Sequence, residues 1–465
     1  MNNGVMTLGE AQAARPPVAG WREFWLKEDW WANWLGLGIV LIAYALFASG
    51  SSLKWLAVTP AKWSTFTELV QHFTHNAVRY VALYLAWSLI LAAALLALGF
   101  GIRRFIVSFT LLYVISVAVF ALGQWTQASH YNLEPPLVAL FLGLILSNTT
   151  RWPGALSDGF RVDLYIKIGI VLLGATLPFT LIVWAGPVAI LQASIVSLVT
   201  FFVIYAVARR LGLEQRLAAT LGAGGAVCGV SAAIAVSGAV GARRQDASIA
   251  ITTVILWAIV MIFLLPLVAR WLQLPAGVAG AWIGTSEFAD AAGLAAAQTY
   301  GNLAGHVPGI AGNAEQTLAA FTLMKVVGRD VWIGIWAFVL ALVAATYWQQ
   351  SGPAGKPDAT QIWGRFPKFV LGFFAASLLL TWVTSGYSLK DYNAHVAPAV
   401  VAPIKDLRTW AFIFCFLSIG LTTRFRDLAR AGARPFFAFS AGVVVNVILG
   451  YFLSVWVFAP HWRSL

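Results

Sequence analysis

The sequence predicts an all-α polytopic membrane protein of about 11–13 transmembrane helices, with inverted repeats and two discontinuous, Gly/Ala-rich helices. Three observations predict it. Of the 465 residues, 60% are hydrophobic and 10% charged, with a mean hydropathy of +0.80, whereas soluble chains are about 45–50% apolar and about 25% charged. The hydrophobic residues, about 279 of 465, come in runs, and at about 20 residues per span they supply about a dozen crossings. The basic residues sit in pairs and short clusters between those runs, as loop anchors do.

The elements follow in order. Residues 1–33 read as a cytoplasmic or interfacial segment. Glu10, Glu23, Glu28 and Asp29 precede the first apolar run, unlike the short basic start of a cleaved signal. The Trp-rich stretch 21–34 suits a helix lying in the membrane interface. Runs at 34–50, 78–99 and 103–123 give three spans, read as an N-terminal extension over 34–130. Further runs lie at 136–147, 163–183 and 185–208, followed by a Gly/Ala stretch at 217–239, a run at 247–273 and a second Gly/Ala stretch at 277–300. The last four are at 330–348, 366–384, 403–421 and 435–458. Polar connections at 51–77, 349–365 and 385–402 read as loops or interfacial helices.

Thirty basic against eighteen acidic residues give a net charge of +12. In a soluble chain this would suggest nucleic acid. Here the clusters report orientation instead. Arg15, Arg22 and Lys27, then Arg103 and Arg104, Arg151 and Arg161, and Arg209, Arg210 and Arg216 all fall on one side if the N-terminus is cytoplasmic. Arg424, Arg426, Arg430 and Arg434 fit the same side, which leaves the C-terminus periplasmic and the number of spans odd. Eleven or thirteen fits, depending on whether the Gly/Ala stretches re-enter or cross. Arg243 and Arg244 favour re-entry of the first, because a full crossing would put them outside. Cys228 and Cys415 have no CxxC or Cys/His spacing, so no zinc site, disulfide framework or other cofactor is expected.

A repeat is visible at constant offset. Segments 173–186 and 419–432 match at Gly174/Gly420, Thr176/Thr422, Phe179/Phe425, Ala185/Ala431 and Gly186/Gly432. The first copy's loop (179–187) has no basic residue, and the second copy's has four, Arg424, Arg426, Arg430 and Arg434. Opposite loop bias on matched segments is what an inverted-topology repeat leaves.

The candidate site lies in the two Gly/Ala stretches. Gly222, Gly224, Gly225 and Gly229 crowd one apolar segment. Each glycine costs a helix interior about 0.8–1.0 kcal/mol relative to Ala, so an unwound break is expected among them. The alternative is close helix packing by small residues. A half-helix starting near Gly229 would aim its free amides and dipole at an anion, with Ser231 adding a hydroxyl and Cys228 beside it as a small packing residue. In the second stretch Glu287 and Asp290 are three apart, hence on one helical face. They are candidates to carry a coupling H⁺ or to hold Na⁺. Thr285 and Ser286 could cap the second half-helix, and amides near Gly284 could contact the same anion; the alternative puts 284–290 at the surface. Lys325 is a candidate buried counter-charge or substrate contact, and snorkelling beside Arg329 is its bland alternative. His306 reads as a loop histidine. There is no GxxxxGK[ST] phosphate loop and no HExxH, so no ATPase or metalloprotease is read here, and the chain is not expected to be an enzyme.

The segments LFLGLILSNT (140–149), KIGIVLLGATL (167–177), LGAGGAVCGVSAA (221–233), AWIGTSEFADAAG (281–293) and FLSIGLTTRFRDLARAGARP (416–435) occur in the order found in a bacterial family. They resemble the YeiH-like proteins, labelled sulfate exporters, over about 136–458 of this chain. That resemblance implies a transporter core over 131–465, two inverted repeats with broken helices crossing near the midplane, and the fold of the sodium/proton antiporter and bile-acid symporter superfamily. It carries the first broken helix onto Gly222, Gly224, Cys228 and Gly229. Two positions depart from the family pattern. Ser286-Glu287 stands where many members have His-Glu, and Thr176 where they often have Arg; both losses weaken the case for a dianion.

The resulting expectation is a secondary active transporter of a small anion, sulfate-like at family level, coupled to H⁺ or Na⁺. It would sit in the lipid bilayer of the bacterial inner membrane, with no nucleic-acid partner and with a homodimer as one candidate assembly. The competing readings are an anion channel and a non-transporting membrane sensor or enzyme.

Overall fold

The computed structural model describes residues 22–127, 135–150, 158–305, 307–348, 367–388, 391–424, 426 and 432–465. Arg15, Arg151, His306, Arg430, the stretch 349–365, most of segment 1–33, and Phe425 and Ala431 of the repeat lie outside the described residues. Among the described residues the chain is helical, and its one extended pairing is a bridge between Trp63 and Trp125. Seven helices there are long and apolar enough to cross a membrane. The protein is an all-α polytopic membrane protein.

The chain forms two compact units, one of residues 18–183 and 368–424, the other of residues 1–17, 184–367 and 425–465. The first unit starts with α1 (Glu28–Ala48), α2 (Phe66–Ala97), α3 (Ile102–Gly123), α4 (Pro135–Thr149) and α5 (Val162–Gly174). Helix α6 (Phe179–Arg210) leads into the second unit, which holds α7 (Gln215–Ala226), α8 (Val230–Ala239), α9 (Arg244–Trp271), α10 (Ala276–Ser286) and α11 (Asp290–Leu303). There follow α12 (Ala314–Thr322), a π-helical segment (Leu323–Arg329) and α13 (Trp332–Tyr347). The chain returns to the first unit for α14 (Phe369–Thr384) and α15 (Ala402–Thr422), then to the second for α16 (Ala433–Phe452), a π-helical segment (Leu453–Val457) and a short helix (Ala459–Arg463).

In the first unit, Glu28 and Asp29 occupy the first turn of α1, where acids suit the helix dipole, and Asp29 pairs with Lys167 at 2.8 Å. Gly420, from the sequence repeat, lets α15 approach α4: a Cβ on Gly143 would lie 2.8 Å from its Cα. Thr176, the other repeat position of interest, accepts from Arg408 Nη1 at 3.1 Å. A guanidinium therefore does reach this place, supplied by α15.

The second unit explains the Gly/Ala stretches. Helix α7 ends at Ala226 and α8 starts at Val230, and the chain reverses between them. Arg216, at the start of α7, donates to the carbonyl of Gly241 beyond the end of α8 at 2.7 Å, and Arg243 pairs with Glu214 at 2.6 Å. The stretch returns to the end it came from. It is a hairpin, as Arg243 and Arg244 suggested, and not a broken helix that continues across. The second stretch also folds back: Tyr300, late in α11, donates its hydroxyl to the carbonyl of Leu274, just before α10.

Helix α9 joins the base of one hairpin to the base of the other. Its 28 residues span about 42 Å at 1.5 Å per residue. The ingoing arms have 12 and 11 residues, about 18 Å and about 16 Å. Two arms inserted from opposite ends of α9 therefore meet tip to tip partway along it. They do meet: a Cβ on Gly229 would lie 2.9 Å from the carbonyl oxygen of Phe288. The expectation of helices crossing near the midplane is corrected to two opposed hairpins. Return of both stretches to their own side is the alternative that gave eleven rather than thirteen crossings.

Candidate functional site

The site forms at the hairpin tips. The first break is 227–229, with Gly229 at φ +69° and ψ −108° as the residue before α8. The second half-helix thus starts where it was expected, near Gly229, while the other three glycines do not unwind. Gly222, Gly224 and Gly225 lie inside an intact α7 and serve the packing alternative. A Cβ on Gly222 would meet the Phe201 ring at 3.0 Å, and one on Gly224 would meet Val254 Cγ2 at 3.0 Å. Small residues here let neighbouring helices close in. Of these four, Gly229 is the one that uses the conformational freedom of glycine.

The second break, Glu287-Phe288-Ala289, contains no glycine. Gly284, Thr285 and Ser286 form the last turn of α10, so carbonyls rather than amides point from there into the break. The proposed amide contact near Gly284 is thereby corrected. Nor do Thr285 and Ser286 cap α11: Thr285 Oγ1 donates back to the carbonyl of Trp282 at 2.9 Å. No side chain caps α11; Glu287 instead pairs the amides of the break that leads into it. Its Oε1 accepts from the amides of Phe288 at 2.9 Å and Ala289 at 3.1 Å. Glu287 lies in the break and Asp290 is the first residue of α11, so the two carboxylates do not share a helical face. Both sit at the positive end of α11, where acids are favoured.

Between the tips runs the π segment, every residue of which is buried. It joins α12, which packs on the second hairpin, to α13, which packs on the first. Gly280 of α10 approaches Ala320 of α12, while Val236 of α8 clusters with Ile333, Trp336 and Leu340 of α13. Lys325 and Arg329 are thus delivered to both tips at once. Lys325 Nζ donates to the carbonyls of Val227 at 3.0 Å, Glu287 at 2.8 Å and Phe288 at 2.9 Å, and lies 3.7 Å from Asp290 Oδ1. Arg329 donates to the carbonyls of Gly225 at 2.9 Å, Ala226 at 3.3 Å, Thr285 at 2.5 Å and Glu287 at 3.2 Å. Both cations are fully buried, so the snorkelling alternative is set aside.

The physical logic is an accounting of helix ends. Each tip carries the negative C-terminal end of an ingoing arm and the positive N-terminal end of an outgoing one. Lys325 and Arg329 face the C-terminal carbonyls of α7 and α10, which a helix cannot pair internally. Glu287 and Asp290 face the N-terminus of α11. The fourth end, the first turn of α8, is the one that reaches the surface: Ser231 is exposed and Val230 partly so, and Ala289 and Asp290 of the other tip are also partly exposed.

Cys228 is buried, and its sulfur lies within 4.8 Å of carboxylate oxygens of Asp290 and Asp330. A thiolate with two carboxylates is a plausible donor set for a divalent metal, but the Lys325 ammonium shares this space, 3.7 Å from Asp290. Among the predicted residues, the fold brings Cys228, Gly229, Glu287, Asp290 and Lys325 together, with Ser231 at the open edge. Gly222 and Gly224 lie farther back along α7. Arg329 and Asp330, both fully buried, were missed as members of the cluster. Their signal was present in the sequence: KVVGRD places three charges within a long apolar helix, and intramembrane charge is functional by default.

The profile of the family described as Conserved hypothetical protein 698 matches residues 107–439. A UPF0324 membrane protein of Rhodopirellula baltica is 28% identical over 416 residues, covering 88% of this chain and 73% of that protein. A UPF0324 membrane protein of Nitratidesulfovibrio vulgaris is 28% identical over 375 residues, with 79% of this chain covered; the chain spans 62% of that relative's length. A UPF0324 membrane protein of Nitrosomonas europaea is 28% identical over 456 residues, covering 87% and 90% of the two chains. No solved structure matches the chain.

Proposed function

We propose, from the premise that this chain belongs to the Conserved hypothetical protein 698 family, that it is a secondary active transporter of a small anion. The observation that carries the reading is the pair of opposed hairpins whose tips meet over a buried charged cluster, with the first turn of α8 at the surface. Discontinuous helices whose half-helix N-termini point at an anionic group are how many transporters hold substrate. In a bilayer, irregular backbone is tolerated only where it is buried in protein or lines a water-filled cavity.

In this reading the amides of Val230 and Ser231 and the Ser231 hydroxyl take the anion, with sulfate, bicarbonate and sulfonates as candidate substrates. Asp290 is the coupling carboxylate. Its side chain is 20% exposed and 3.7 Å from Lys325 Nζ, so it is open to H⁺ and tied to both tips. Glu287 is fully buried and pairs the amides of the second break, a positioning role. The first hairpin's base carries Arg209, Arg210, Arg216, Arg243 and Arg244, which by the positive-inside rule supports a cytoplasmic base in a bacterial inner membrane. The second hairpin then enters from the periplasm.

Proteoliposomes loaded with labelled sulfate, bicarbonate or a sulfonate, under imposed pH and Na⁺ gradients, test the proposal. Saturable uptake driven by one of the gradients supports it. No flux under any gradient overturns it, and single-channel currents would assign a channel.

A further inference from the structure

An ammonium group has three hydrogens to give, and Lys325 gives all three to backbone carbonyls. The acceptors are Val227 at 3.0 Å, Glu287 at 2.8 Å and Phe288 at 2.9 Å, drawn from both hairpin breaks. The carboxylate of Asp290 follows at 3.7 Å. Carbonyl oxygens released from helix, with the Asp290 carboxylate beside them and that of Asp330 near it, are the kind of ligand set that replaces water around a monovalent cation. The spacing is long for a small ion: even calcium draws its oxygens to about 2.3–2.6 Å. Arg329 shares one of these acceptors, the Glu287 carbonyl at 3.2 Å, but its guanidinium is otherwise held outside the cage by the carbonyls of Gly225, Ala226 and Thr285.

We propose that the Lys325 ammonium is the covalently tethered resident of a cation cage between the hairpin tips. The protein therefore takes no alkali cation there, and a chain without this side chain takes a monovalent cation of ammonium or potassium size in its place. The cage joins the tips through one charge that cannot diffuse away, which costs less ordering than capturing a free ion each time. In one respect the inference rests on the transport reading: if that reading holds, sodium is not the coupling ion at this position.

The test is thermal unfolding of the purified full chain in detergent, at equal ionic strength, in choline, sodium, potassium, ammonium or methylammonium chloride. The wild-type midpoint is expected to be the same in all five. Lys325→Ala is expected to fall in choline and to regain at least half of the loss, saturably, in methylammonium, ammonium or potassium. Adding Asp290→Asn should abolish the recovery, and Lys325→Met, which refills the space without charge, should not respond. Should Lys325→Ala fold in none of the salts, Lys325→Ser is measured in the same way. A wild type stabilised by an alkali cation through Asp290 overturns the proposal. So do folded Lys325→Ala indifferent to cations, and both small variants unfolded in every salt. These midpoints do not depend on flux: a chain that moves no anion can still show the cage, and an absent cage leaves the anion assay intact.

Discussion

Replacing Gly229 by Ala tests the geometry of the hairpin tips directly. At φ +69° and ψ −108°, a residue with a Cβ is held in a sparsely populated conformation, at a cost of about 1–3 kcal/mol. The added methyl would also lie 2.7 Å from Val254 Cγ1 and 2.9 Å from the Phe288 carbonyl oxygen. Val254 can turn aside, whereas the carbonyl belongs to the opposing tip and can recede only if the tips separate. Overpacking of this kind costs about 1–3 kcal/mol, so the two effects together come to about 2–6 kcal/mol. Two other glycines calibrate the result. Gly238, on α8, has nothing within 4 Å of a built Cβ, and Gly238→Ala should stabilise by about 0.4–1 kcal/mol. Gly222→Ala meets the Phe201 ring at 3.0 Å, which can yield a little, and should fall between them. The assay is thermal unfolding in detergent followed by the fluorescence of the 22 tryptophans. A chain of two units need not unfold in one step, so the order of the midpoints is the readout. Gly229→Ala unfolding no earlier than Gly222→Ala would refute the tip-to-tip arrangement.

Further outcomes follow from the same cluster. Asp290→Asn removes the carboxylate beside Lys325 and should lower the midpoint and flatten the pH dependence of anion flux; an unchanged profile would remove Asp290 from coupling. Arg329→Met strands the carbonyls of Gly225, Ala226 and Thr285, each at about 1–3 kcal/mol, and should yield no monodisperse protein on gel filtration. Arg329→Lys should recover only part of it, because one ammonium cannot reach both arms as a planar fork does. For topology, Glu214→Cys and Ala242→Cys should react with an impermeant thiol reagent from the same side of sealed vesicles, and Trp271→Cys from the other. The native Cys228 and Cys415 are buried and should stay silent. Labelling of positions 214 and 242 from opposite sides would restore a full crossing.

Much of the architecture was legible because composition and charge placement act over long stretches. The apolar runs located the helices, and Arg243 and Arg244 were enough to argue that the first Gly/Ala stretch turns back. The position of each break was less legible. Glycine density marked 222–229 and a half-helix starting near Gly229, but not that Gly222, Gly224 and Gly225 stay helical, packed against neighbours such as Phe201 and Val254, while the chain unwinds at Val227-Cys228-Gly229. The second break has no glycine, so helical spacing wrongly put Glu287 and Asp290 on one face; a carboxylate that can pair two freed amides was the cue. Lys325 and Arg329 were visible as charges in an apolar run. Their task was not, because it depends on carbonyls about a hundred and about forty residues away in sequence, and such pairings have no local signature.

The π segment has a consequence for registration. Its amide-to-carbonyl links skip one residue more than those of an α-helix, as between Asp330 and Lys325 at 3.0 Å, so it amounts to one spare residue carried inside a helix. An α-helix turns about 100° per residue. Deleting Val326 would let the segment close as ordinary helix, swinging α13 by about 100° relative to α12. Trp332 and Trp336 would then leave Ser194 and Ser197, to which they donate at 3.1 Å each. The spare residue is a vernier. It sets the phase between two stretches of one rod, so that a single helix can mesh with two hairpins that enter from opposite ends.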